Sequence, residues 1–141
     1  MEPRILDLLR RVQADVRAAL DEALGDRGLT GPQYAVLSVL ERDPGRSSAD
    51  LARRSFVTPQ TMSRIVENLE RLELISRRPH PTHGKVLMAA LTPRGAQLVA
   101  SCHAAVEAVE ARMLRGLSGP GRTALQKLLV SCAASLEAGA R

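Results

Sequence analysis

The chain has 141 residues, enough for one domain with a substantial core, and it contains no apolar run long enough to cross a membrane. Its two cysteines are too few for a disulfide framework, and its N-terminus lacks the apolar stretch of a signal peptide, so we expect a cytoplasmic protein. The formal net charge is +5, and residues 51–94, with eight basic and three acidic side chains, account for all of it. This local excess suits a phosphate backbone, although a solvated basic face would have the same composition.

The first two predicted elements are helices. Residues 4–24 repeat apolar side chains at helical spacing, and glycines follow the last of them. Thr30 and Gln33 fit a capping box, in which each side chain bonds the other residue's backbone amide. The helix that this box opens should stop before the Asp-Pro-Gly sequence at 43–45.

Two closely spaced helices are predicted next. Ser47 and Asp50 fit a second capping box, which would open a short helix over 48–54. After a turn through 55–57, the Thr-Pro pair at 58–59 starts a longer helix, because proline at the first helical position lacks only an amide that would be unpaired anyway. A short helix, a turn and a longer helix form a helix-turn-helix motif.

The helix over 58–72 has an unusual polar face. Exposed helix faces usually carry Glu, Lys and Arg, whereas its first turns carry short hydrogen-bonding side chains that favour helices poorly. In a helix-turn-helix motif the second helix enters the major groove with its N-terminal residues at the base edges. An ordinary amphipathic helix with an indifferent polar face is the alternative. The residues expected to meet the bases are Thr58, Gln60, Thr61, Ser63, Arg64 and Asn68.

The remaining elements are a hairpin and two long helices. From position 75 the period changes to the alternation of a strand, and the sequence PHPTHG at 79–84 supplies the turn. Thr92 and Pro93 cap a long helix, and a Ser-Gly-Pro sequence at 118–120 separates it from the last one. The predicted fold class is mainly α with a small β-hairpin wing, a winged helix-turn-helix.

The segment from Leu29 to Gly95 resembles the winged-helix core of the MarR (multiple antibiotic resistance regulator) family of transcription factors. Its most specific parts are LARRSFVTPQTMSRIVENLERLELI and, after the hairpin, LTPRG. The flanking helices match in order and length, so the resemblance covers nearly the whole chain. It implies a single MarR-like domain over 1–141, with a winged helix-turn-helix core at about 30–94 and dimerisation helices at about 1–25 and 93–138.

The resemblance also implies partners. Members of the family are homodimers with intertwined terminal helices, they bind pseudo-palindromic operators in double-stranded DNA, and they usually repress. Many release the DNA when a small molecule or an oxidant acts, and the effector pocket is expected between the dimer helices and the winged domain. The apolar stripes of the terminal helices point to the same assembly, because the small winged core could not cover them. The expected interface residues are Ile5, Leu9, Val12, Leu125, Leu128 and Leu129.

The wing tip departs from the family pattern. Family members commonly carry an Asp-x-Arg pair there, whereas this chain has His83-Gly84-Lys85. Lys85 keeps the positive charge without the planar fork of arginine, so we expect minor-groove contact without the reading of groove shape that arginine performs. The residues expected to contact phosphates or to form the wing contact are Ser47, Ser48, Arg54, Arg77, Arg78, His83 and Lys85.

Other chemistry is less well supported. His80 and His83 fall short of the three or four ligands that a metal needs, and no catalytic or cofactor-binding motif is present, so we expect neither an enzyme nor a metal or cofactor. Oxidant-sensing family members carry their reactive cysteine in the first helix, where this chain has none. A redox response through Cys102 and Cys132, which lie on apolar stripes, remains an alternative. So does a winged-helix scaffold that binds DNA without sequence choice or docks another protein.

Overall fold

The computed structural model describes residues 1–55 and 57–139, which form six helices around a small sheet. In chain order the elements are α1 (Ile5–Gly25), α2 (Gly31–Arg42), β1 (Arg46–Ser47), α3 (Ser48–Ser55), α4 (Pro59–Arg71), β2 (Ile75–Pro79), β3 (Leu87–Leu91), α5 (Pro93–Met113) and α6 (Gly119–Gly139). The prediction of a mainly helical protein with a β-hairpin wing is confirmed. The turn predicted between α3 and α4 includes Phe56, which lies outside the described residues. None of the helices within these residues is both long enough and apolar enough to span a membrane.

The helix starts follow the predicted caps, with one exception. The capping box of Thr30 and Gln33 is complete, with reciprocal bonds of 3.3 and 3.0 Å. The second box is only half formed, since the Ser47 hydroxyl accepts the Asp50 amide at 3.1 Å but the carboxylate of Asp50 does not return to Ser47. That carboxylate lies against arginine side chains instead, at 3.2 Å from Arg53 and 3.4 Å from Arg46. Charge pairing therefore replaces the second half of the box.

The sheet has one strand more than the predicted hairpin. Strand β1 pairs antiparallel with β3, and β3 pairs antiparallel with β2, so the strand order is β1-β3-β2. In this register Ala89 lies opposite Arg46 on one side and Arg77 on the other. A two-residue strand is too short to show an alternating pattern, so the sequence prediction missed it.

The core lies between α1, the helix-turn-helix and α5. Its largest fully buried side chains include Leu24, Leu37, Leu40, Leu51, Met62, Leu69, Ile75 and Val99. Cys102 is buried in the same cluster, as expected of a small apolar side chain, whereas Cys132 on α6 is exposed. Helix α6 has no buried residue at all, and Leu128 on it is 64% exposed. Helix α1 likewise exposes 74% of Ile5.

Candidate nucleic-acid interface

The start of α4 is held by a threonine cap. The Thr58 hydroxyl oxygen accepts the Thr61 amide at 3.2 Å, and its proton is donated to the Thr61 hydroxyl oxygen at 2.9 Å. These bonds satisfy a backbone amide that a helix start would otherwise leave unpaired. The cap therefore commits one lone pair of each hydroxyl to the protein and leaves both side chains exposed to solvent.

The two faces of α4 differ as the sequence predicts. Met62, Val66 and Leu69 are buried and hold the helix on the core. On the other side Gln60, Thr61, Ser63 and Arg64 are exposed, and Asn68 is half-buried. Arg64 makes no ion pair with any side chain of the described residues. Polar donors and an uncommitted guanidinium thus share one surface of the helix.

A network of charges lies at the start of α3. Arg54 contacts the carboxylates of Asp43 at 3.2 Å and Asp50 at 3.5 Å, and Arg46 pairs with the same two aspartates. The hydrogen bond from Arg46, followed by the positive charges of both arginines, lowers the pKa of the Asp43 carboxyl below its usual value. Of the residues predicted to hold phosphate here, Ser47 caps the helix, and Arg54 pairs with two carboxylates that it shares with Arg46.

The two arginines of the wing strand β2 have different surroundings. The Arg77 guanidinium donates from Nε and Nη2 to the two carboxylate oxygens of Glu70 on α4, at 3.2 and 3.0 Å. These bonds lower the pKa of the Glu70 carboxyl and raise that of Arg77. Successive side chains of a strand point to opposite faces, so Arg78 lies on the other face, where it is exposed. Within the described residues Arg78 has no acidic partner.

A histidine organises the wing tip. Nδ1 of His80 accepts the backbone amides of Thr82 at 3.1 Å and His83 at 3.2 Å. The rings of His80 and His83 lie 5.0 Å apart. His83 and Lys85 are exposed beyond this turn. The described residues contain no group of three or more His, Cys, Asp or Glu side chains arranged to hold a metal ion.

Comparisons with known proteins agree with this architecture. The sequence model that describes the MarR family matches residues 27–85 of this chain. The chain is 38% identical over 122 residues to the HTH-type transcriptional repressor Rv2887 of Mycobacterium tuberculosis, an alignment that covers 86% of this chain and 88% of that repressor. The chain belongs to the MarR family.

Solved structures of MarR family proteins share the whole fold. The structure of Rv2887 in complex with p-aminosalicylic acid superposes on this chain with a TM-score of 0.74 at 35% sequence identity. The match covers 93% of this chain and 99% of the Rv2887 chain. Rv2887 in complex with DNA has the same TM-score at 34% identity, with 93% and 98% covered. BpsR of Bordetella bronchiseptica, whose DNA binding is regulated by 6-hydroxynicotinic acid, has a TM-score of 0.86 at 25% identity, with 92% and 93% covered.

This MarR family chain has a cleft of about 720 Å³ between α1, the start of α2 and the solvent side of α4. Three arginines, one aspartate and several apolar side chains contribute to its walls. The lining residues are Arg17, Asp21, Gly25, Leu29, Thr30, Pro32, Gln33, Thr61, Arg64, Ile65, Asn68 and Arg71. Three residues predicted to meet DNA bases, Thr61, Arg64 and Asn68, therefore also line this cleft.

The sequence does not reveal the residues that join α4, which as the second helix of the helix-turn-helix is its recognition helix, to the wing. Glu70 enters the sequence prediction only through the charge balance of residues 51–94, and so does Glu73, the one described non-glycine residue with a positive φ, at 60°. Opposite charges on either side of a helix-to-strand turn would have been the only signal for the pair of Glu70 and Arg77. Nothing in the sequence marks Glu73, because glycine is the usual residue at such a position.

Proposed function

We propose that this chain is a sequence-specific, DNA-binding transcriptional repressor that acts as a homodimer and releases its operator when a small molecule binds. The observation that carries this proposal is the surface of α4, where polar donors and an uncommitted Arg64 stand next to a basic wing. Membership of the MarR family supports it, since Rv2887 is a repressor with a DNA complex. We place the regulator in the cytoplasm and assign it no enzymatic activity.

The DNA contacts that we propose fall into two groups. Gln60, Ser63 and Arg64, on the exposed side of α4, would read base edges in the major groove, with Thr58, Thr61 and Asn68 beside them. The wing would contact the backbone and the minor groove through Arg78, Lys85 and His83. Ser47 and Ser48 at the start of α3 suit a phosphate, because backbone amides at a helix N-terminus favour an anion.

The homodimer that we propose is supported by apolar surface that this chain alone leaves in water. Soluble monomers rarely expose large apolar patches, so the apolar faces of α1 and α6 mark an interface. The side chains concerned are on α1 and α6: Ile5 is 74%, Leu9 42%, Val12 46%, Leu128 64% and Leu129 45% exposed, and Leu125 is half-buried. Sedimentation that returned a stable, folded monomer at micromolar concentration would contradict the assembly.

The cleft beside α4 suits a small aromatic acid. Arg17, Arg64 and Arg71 offer guanidinium groups to a carboxylate, and Leu29, Pro32 and Ile65 offer apolar contact to a ring. Rv2887 has been solved with salicylic acid and with p-aminosalicylic acid, which have this chemistry. An acid held in the cleft by Arg64 would compete with the bases for the same side chain. DNA would then be released because Arg64 cannot bind the acid and a base at the same time.

Selection from a pool of random duplexes tests the proposal. A specific two-fold dimer should enrich an inverted repeat whose half-sites lie about one helical turn apart, ~34–36 Å along the duplex. Salicylate should then release the selected duplex, and Arg17→Ala should weaken this release while DNA binding persists. A pool that stays random after selection would instead support the scaffold that binds without sequence choice.

A further inference from the structure

The recognition helix and the wing are joined by a bidentate ion pair. Glu70 lies in the last turn of α4, and Arg77 lies in the middle of β2. Both carboxylate oxygens are bonded by one guanidinium group, at 3.0 and 3.2 Å. Two parallel bonds to a planar fork fix direction as well as distance, which a single lysine contact does not.

Backbone hydrogen bonds also hold the turn between these two residues. The Leu74 amide donates to the Leu69 carbonyl at 3.0 Å and the Glu73 amide to the Glu70 carbonyl at 2.9 Å, which is a Schellman ending for the helix. The Leu74 carbonyl in turn accepts the Thr92 amide at 3.1 Å, at the start of α5. Helix α4 and strand β2 thus meet through a short turn that backbone bonds hold from both sides.

We propose that Glu70 and Arg77 are positioning residues that set the angle between the recognition helix and the wing. Two elements that enter neighbouring grooves must hold a defined separation, because a rotation of one moves its contacts off the bases or phosphates. The turn fixes the start of β2, and the pairing with β3 holds the strand in the sheet. The ion pair in addition ties the middle of the strand directly to α4. This inference rests on the proposed DNA-binding function.

Arg77 is a poor candidate for a direct phosphate contact, which is the role that the sequence predicts for it. Its side chain is 21% exposed, and both of its bonded nitrogens already face a carboxylate. Glu67, one turn earlier on α4, adds a second negative charge near the same guanidinium. A phosphate would have to displace Glu70 and approach past both carboxylates. Arg78 is exposed on the other face of the strand and has no such competitor.

The proposal predicts that a variant without the negative charge of Glu70 binds DNA more weakly. Removing a negative charge near DNA should by itself strengthen binding. Glu70→Gln should nevertheless weaken binding to the selected operator about fivefold, in the range of couplings within one ion-pair network. The matched control is Glu67→Gln, which removes the same charge from the same helix without breaking the pair. It should leave operator affinity unchanged or raise it.

A double-mutant cycle and a salt titration complete the binding test. Arg77→Gln should weaken operator binding by the same factor as Glu70→Gln, and the double variant should be no weaker than either. Arg77→Gln should keep the dependence of log K on log salt, whereas Arg78→Gln should lower that slope by about 0.9. A lowered slope for Arg77→Gln overturns the proposal, and so does a Glu70→Gln variant that behaves like Glu67→Gln.

A second readout needs no DNA and separates this proposal from the proposed function. Amide hydrogen exchange of β2 and β3 should be faster in Glu70→Gln and Arg77→Gln than in the wild type, and unchanged in Glu67→Gln. Unchanged exchange in all three variants overturns the positioning role even where operator binding stands. If selection yields no operator, the proposed DNA-binding function is contradicted. Amide hydrogen exchange still decides whether the ion pair restrains the wing.

Discussion

The phenol oxygen of Tyr34 lies 2.7 Å from Nδ1 of His103, and Nε2 of the same ring lies 2.8 Å from a carboxylate oxygen of Glu41. Tyr34 and Glu41 belong to α2, and His103 belongs to α5. The rings of Tyr34 and His103 meet edge to face, with centroids 5.7 Å apart. A histidine of the long helix is therefore held at both nitrogens by the winged core.

Tyr34→Phe tests how much this link contributes to stability. The substitution keeps the ring contact and removes only the hydroxyl, so the free energy of unfolding in urea should fall by about 1 kcal/mol. Glu41→Gln is the comparison, since its amide oxygen can still accept from Nε2 and should change the free energy less. Equal stability of wild type and Tyr34→Phe would show that water replaces the bond without loss.

Gly95→Ala tests the close approach between α5 and the end of the recognition helix. A Cβ at this position would lie 2.0 Å from the carbonyl oxygen of Leu74, which is backbone and cannot rotate away. The free energy of unfolding should therefore fall by about 1–3 kcal/mol, the usual range for overpacking. Gly31→Ala is the control, because a Cβ there has no neighbour within 4 Å. Equal losses for both variants would contradict the steric explanation.

Glu73→Gly tests the left-handed residue that ends α4. Glu73 has φ 60°, a conformation that glycine adopts without the steric penalty that a Cβ brings. We expect Glu73→Gly to raise the free energy of unfolding by about 0.5–1 kcal/mol because the strain is relieved. The greater conformational entropy of glycine in the unfolded chain opposes this gain. Glu73→Ala loses the same exposed contact to Arg94 but keeps a Cβ. If Ala stabilises as much as Gly, backbone strain is not the cause.

Arg64→Ala tests the difference between reading bases and binding phosphates. Removal of a side chain that pairs with a base should cost ~1–3 kcal/mol of binding free energy at the selected operator. It should cost little on scrambled DNA. Lys85→Ala should weaken both duplexes alike and lower the salt slope by about 0.9. We would abandon the base-reading role of Arg64 if its variant weakened scrambled DNA as much as operator.

The ion pair of Glu70 and Arg77 should also appear in the pH dependence of stability. The hydrogen bonds from Arg77 lower the pKa of the Glu70 carboxyl below its ordinary value of about 4.5, so the folded state releases this proton more readily than the unfolded chain does. The stabilisation is therefore complete above about pH 4.5 and is lost as the pH falls through the lower, folded value. Wild type should exceed Glu70→Gln in stability near neutral pH, and the difference should shrink in acid. A difference that stays constant down to about pH 3, well below that ordinary value, would contradict the assignment.

The sequence alone determined the six helices, the hairpin and the face of α4 that packs on the core. The caps at Thr30, Thr58 and Thr92 formed as predicted, because a cap joins residues only three positions apart. The buried face of α4 followed from helical periodicity in the same way, since Met62 and Val66 lie one turn apart. Both signals are local, so no knowledge of the rest of the fold was needed.

Only the tertiary structure decided which charged side chains meet. The sequence predicts that Arg54 and Arg77 are both available to contact phosphates. Folding instead brings Arg54 to Asp43 and Arg77 to Glu70. Each of these pairs spans an intervening turn, so its distance depends on the path of the backbone and not on spacing along the chain. Strand β1 exists for the same reason, because two residues become a strand only where β3 offers its edge.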